Sequence, residues 1–98
     1  VGQEILNTME KTGFIDNVAL GSNSSTDVYN YLGEVMPQYT VAGFSLTSYK
    51  YSAGFTVDRS VNASTGSPQV FSVTRRVVLI PIKDNDRYVV VELRVGYR

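Results

Sequence analysis

The chain is 98 residues long, 43% hydrophobic and 18% charged, and its nine basic side chains balance nine acidic ones. That length allows one domain with a single modest core, and zero net charge supplies no global field for nucleic acid or an anionic membrane. Cysteine and histidine are both absent, which excludes disulfides, thiolate chemistry, cysteine-ligated zinc and any Ser-His or Cys-His nucleophile pair.

Charged residues fall below the roughly 25% of an average globular protein, and Ser, Thr, Asn, Tyr and Val take their place. That mixture suits β-rich and extracytoplasmic modules, so a periplasmic, cell-surface or virion location is the expectation. The longest apolar run, residues 77–82, contains Pro81 and falls far short of the roughly 20 residues that span a bilayer. The first residues lack an apolar h-region, and the chain starts at Val1. A single domain over residues 1–98, cut from a longer or processed chain, is expected. Membrane attachment would then come only through a segment outside it.

Val1, Ile5, Leu6 and Met9 lie at helical spacing, which predicts a helix over residues 3–12 ending at Gly13. Phe14 and Ile15 read as a tuck into the core. Residues 21–25 form a turn-rich break, with Ser25 as the expected N-cap and Asp27 in the first turn of the next helix. Val28, Tyr31, Leu32, Val35 and Met36 form one apolar stripe, and Pro37 stops that second helix near Val35 or Met36.

From Thr40 the period changes to two. Ala42, Phe44 and Leu46 face one way in a first strand. Over residues 53–61 a second strand places Phe55, Val57 and Val61 on one side and Thr56, Asp58 and Ser60 on the other. The connection at residues 48–52, with Tyr49, Lys50 and Tyr51, reads as an exposed aromatic hairpin tip. Residues 62–69 read as a loop without an apolar anchor, and so as dispensable.

Two long strands close the chain, residues 71–82 and 87–97, joined at the polar corner of residues 83–86. Val89, Val91, Leu93, Val95 and Tyr97 share one parity. Residues 77–82 are apolar on both parities, which predicts a strand that is central or covered on both sides, with a bulge or end at Pro81. The expected fold is α+β, two N-terminal helices on one face of a four-stranded antiparallel meander. The expected core includes Leu32, Val35, Phe44, Val89, Val91 and Leu93. This order of elements resembles the cone-shaped nuclear-transport-factor-2-like group, which includes ligand-binding and enzymatic members and periplasmic assembly domains of secretion machines. Small ferredoxin-like assembly domains offer a similar likeness. The likeness is architectural and implies no site residue.

Candidate chemistry is sparse. Asp58 and Glu92 sit on different strands, where register decides whether they meet as a carboxylate pair. Residues 84–86 read as a turn, since the Gly and Glu of a calcium loop do not follow. Phosphate-binding glycine motifs are missing. Residues 23–25 and 62–64 match the glycosylation acceptor pattern in predicted loops.

Arg76, Arg94 and Arg98 share the expected outward parity with Tyr88, and Tyr and Arg dominate protein hot spots. A non-catalytic interaction or assembly domain of a larger envelope, surface or virion complex is the first expectation, with no cofactor. Its interface would be Tyr49, Lys50, Tyr51, Tyr88, Arg94 and Arg98. The partner would be another protein or a second copy, and nucleic acid is not expected. The alternative is a small-ligand or enzymatic pocket between helices and sheet, lined by Tyr31, Phe44 and Phe55.

Overall fold

A computed structural model describes residues 2–51, 53–66, 71–83 and 85–97, with backbone only at Phe71. The elements are α1 (Gly2–Lys11), α2 (Phe14–Leu20), α3 (Ser25–Val35), β1 (Thr40–Tyr51), β2 (Phe55–Ser64), β3 (Phe71–Ile80) and β4 (Arg87–Tyr97). The three helices pack on one face of a four-stranded antiparallel sheet.

Two features of the expected fold are corrected. The residues expected to tuck in as a short stretch form α2, flanked by Gly13 and Gly21. At seven residues it is too short to show a periodic stripe, yet Ile15, Val18 and Ala19 at i, i+3 and i+4 are all buried. At Gly21, φ is +91°, and a Cβ there would stand 3.0 Å from Arg59 Nη1. Only glycine ends the helix there and leaves room for the guanidinium.

The second correction is the strand order, which is β2-β1-β4-β3 and not a meander. β1 pairs with β4 from Thr40–Tyr97 to Lys50–Arg87, so first and last strands form the centre. In that place Val89, Val91, Leu93 and Val95 of β4 are all buried against the helices, which keeps its apolar row out of water. Tyr97 departs from that row and is exposed. Without a meander, the architectural likeness to cone-shaped folds loses its basis.

The segment after β2 is also not a free loop. Residues 62–64 are strand, and Asn62 pairs with Ser45. Thr65 continues the attachment, its N–H donating to the Ala42 carbonyl at 2.9 Å and its Oγ1 accepting from the Ala42 N–H. Gly66 lies against Val41, where a Cβ would fall 2.7 Å from Val41 Cγ1. Residues 67–69 of the expected loop lie outside the described residues. The connection runs from one edge of the sheet to the other, three inter-strand spacings or about 14 Å, which a tight turn does not reach.

The α3 N-cap is Ser24, one residue before the expected Ser25. Ser24 and Asp27 form a reciprocal capping box, the Ser24 N–H donating to Asp27 Oδ2 at 2.8 Å. The core holds Leu32, Phe44, Val89, Val91 and Leu93 as expected, but Val35, the last residue of α3, is exposed. β3 ends at Ile80, just before Pro81. The polar corner before β4 includes Asp84, which lies outside the described residues, as do Val1 and Ser52.

The helix layer is shorter than the sheet. Twelve residues of β1 extend about 40 Å, whereas the 11 residues of α3 extend about 16 Å. The long axis of the molecule, 44 Å against 23 and 20 Å, follows from that mismatch.

Candidate interaction face

The face of the sheet turned away from the helices is uncovered, and it is divided along the strands. One end is apolar. Tyr49 and Tyr51 of β1 stand there beside Val57 and Phe55 of β2, Tyr49 pairing with Val57 and Tyr51 with Phe55. Across the midline, Tyr88 and Val90 of β4 pair with Leu79 and Val77 of β3. Phe55 makes edge-to-face contacts with Tyr51 at 5.0 Å and Tyr88 at 5.3 Å, an arrangement that suits the ring quadrupoles. Val77 is nonetheless 73% exposed, Phe55 and Val57 each 62%, and Leu79 54%.

Two expectations fall here. The period-2 pattern puts Phe55 and Val57 on the same side as Val61. A bulge in β2 separates them, since Ser48 pairs with Arg59 and Tyr49 with Val57, leaving Asp58 as the extra residue. Residues before it therefore face outward and Val61 faces the helices. The run at residues 77–82 was expected to be central or covered on both sides, yet β3 is an edge strand with Val78 and Ile80 inward and Val77 and Leu79 bare.

The other end of the open face is polar. Glu92 holds two arginines, with Arg75 Nε at 2.9 Å and Arg94 Nε at 2.7 Å. Hydrogen bonds from Arg75 and then Arg94 hold its carboxyl below the usual glutamate range. On the β1 and β2 side of this end stand the uncharged Ser45 and Asn62.

Of the six residues expected to form an interface, Tyr49, Tyr51 and Tyr88 come together at the apolar end. Lys50 does not join them. It points to the opposite face, where Asp58 binds Lys50 Nζ at 3.0 Å and Arg87 Nε at 3.0 Å. The hydrogen bond from Lys50 leads the effects that hold Asp58 below the usual aspartate range. Arg94 lies on the open face but six residues along β4 from Tyr88, about 20 Å away. Arg98 lies outside the described residues. Arg76, assigned the outward parity, faces the helix layer and donates to Glu10 of α1 at 2.9 Å and to Asn7. Phe55, Val57, Val77 and Leu79 also stand on this end of the open face, where the sequence pattern does not place them. The apolar double parity of β3 was the signal for the last two.

The expected small-ligand lining does not assemble. Phe44 is buried in the core, Phe55 is on the other face of the sheet, and Tyr31 packs edge-on against Phe14 at 4.8 Å. A shallow cleft of about 250 Å³ beside the aromatic cluster is lined by Tyr51, Ile82, Asn85, Asp86 and Tyr88. Asp58 and Glu92 do not form a pair either. They lie on opposite faces, on strands separated by β1. Asn62 of the second glycosylation pattern is in β2 and not in a loop. Among the described residues no helix is long and apolar enough to cross a membrane, and no group of three acidic side chains is placed to hold a metal ion.

No family model, curated protein or solved structure matches this chain.

Proposed function

We propose that this domain is a non-catalytic interaction module that joins a larger assembly by docking a protein on the open face of its sheet. The observation that carries the reading is the bare apolar end of that face, above all Val77 and Leu79 in a strand apolar on both parities. A contiguous apolar patch of this kind on a small domain is a mark of an interface. Tyrosines at its centre give large contact area at low entropic cost. The carboxylates support the same reading. Asp58, Glu92 and Glu10 are each bound to cations, Asp27 caps a helix, and the pKa directions of Asp58 and Glu92 are opposite to those of a general acid at neutral pH. The Ser-, Thr- and Tyr-rich composition points to an envelope, surface or virion complex as the setting.

The test is a benzophenone side chain introduced at Val77, or at Tyr29 on the helix layer, in cells making the whole protein. Irradiation should yield a discrete protein adduct from position 77 and none from position 29. No adduct at 77, or the same adduct from both, would overturn the reading.

A further inference from the structure

We infer that the occupant of the open face is a second copy of this chain, two sheets stacking face to face about a two-fold axis parallel to the strands. The inference rests on the interaction reading above and specifies its partner. Size is the first argument. Scaled by exposure, the apolar side chains of this face present roughly 700 Å², close to the about 800 Å² a side of a standard stable interface.

Self-complementarity is the second. A two-fold contact must match a surface to itself, and an axis along the midline between β1 and β4 lays β4 over the partner's β1 and β3 over its β2. The aliphatic Val77, Leu79 and Val90 of one copy then meet the ring-rich side of the other, Tyr49, Tyr51, Phe55 and Val57. At the polar end, the Arg75–Glu92–Arg94 cluster meets uncharged Ser45 and Asn62, so no charge faces a like charge. An in-plane axis across the strands through the sheet centre would instead set that cluster on the aromatic end. The zero net charge of the chain adds no repulsion between copies.

The pattern in β3 is the third argument. A strand apolar on both parities belongs between two packed layers. The helices supply one layer, and a facing sheet at the usual spacing of about 10 Å supplies the other.

Sedimentation equilibrium of the purified chain across the micromolar range should show a dimer of the 10.8 kDa chain. Val77→Lys should weaken it more than tenfold with an unchanged circular dichroism spectrum, because Val77 is already exposed. Tyr29→Lys on the helix layer should not. The absence of native cysteine allows a second measurement. A mixture of Leu79→Cys and Val57→Cys chains should be joined as a heterodimer by a short bismaleimide cross-linker, which spans the gap between facing sheets that a direct disulfide does not, while either alone should not, since β3 lies over β2 and not over itself. A monomer throughout the range, or a dimer indifferent to Val77→Lys, overturns the inference. A dimer in which Leu79→Cys links to itself also overturns it. A cellular adduct at position 77 with a different protein would overturn the homodimer while leaving the interaction reading standing.

Discussion

Phe55 and Val61 stand six residues apart on β2, at the same parity, yet they lie on opposite faces of the sheet. Asp58 causes the switch. It is the extra residue of the bulge, and the pull of Lys50 and Arg87 on its carboxylate holds it on the helix side. One inserted residue thus moves an aromatic ring and a valine from the core to the open face, and also breaks the regularity of an edge strand.

The bulge makes Val57 and Val61 respond differently to the same substitution. Val57→Thr should change stability by no more than about 0.5 kcal/mol, whereas Val61→Thr buries a hydroxyl and should cost about 1–3 kcal/mol. Urea denaturation of the two variants, at chain concentrations low enough to keep the protein monomeric, checks this, and equal losses would mean that β2 has no bulge at Asp58.

Ser48 is the one buried polar residue of the described core, and its Oγ has no hydrogen-bond partner there. An unsatisfied hydroxyl stays desolvated without return, so Ser48→Ala should be neutral or raise the melting temperature. A loss of more than about 1 kcal/mol, the worth of an ordinary hydrogen bond, would reveal a bond at that hydroxyl.

Stability should fall on acidification. The folded pKa values of Asp58 and Glu92 lie below their ordinary 3.8 and 4.5, so in the acid range the unfolded chain binds more protons and stability rises with pH. Their contribution is fully present above about pH 4.5 and is lost as pH drops through the folded values. The double variant Asp58→Asn, Glu92→Gln should flatten the acid limb of a plot of stability against pH. An unaltered limb would assign acid lability to other groups.

Much of this architecture is written locally, and the rest is not. The stripe of Val28 and Leu32 and the alternation of Val89, Val91 and Leu93 are legible because each row meets one continuous apolar surface. The pairing of β1 with β4 leaves no local trace, since both strands alternate equally well beside any neighbour. The bulge is equally silent: FTVDRSV reads with unbroken parity until Asp58 finds Lys50 and Arg87. At the candidate site Tyr88 is legible from outward parity, whereas Tyr49 and Tyr51, expected in an exposed hairpin tip, are paired strand residues of β1, because the strand runs on to Tyr51. Phe55 and Val57 were hidden by the bulge, and Lys50 belongs to the other face by the same alternation that exposes its neighbours.

The connection from β2 to β3 should tolerate little change. Replacing residues 65–70 by a two-residue turn should abolish cooperative thermal unfolding, because the two strands occupy opposite edges. Gly66→Ala pushes a methyl into Val41 and should cost about 1–3 kcal/mol by overpacking. A shortened chain that still melts cooperatively would contradict the strand order itself.

That strand order also sets a sequence of events in time. The hairpins β1–β2 and β3–β4 close short loops and form on a microsecond scale, but the seam between them joins Thr40 to Tyr97 and must wait for a large loop to close. On the ribosome, the helices and the first hairpin emerge with Phe44 and Leu46 still lacking their β4 neighbours. The nascent domain therefore carries an open seam until its final residues leave the exit tunnel, and it is in that interval that a chaperone has something to hold.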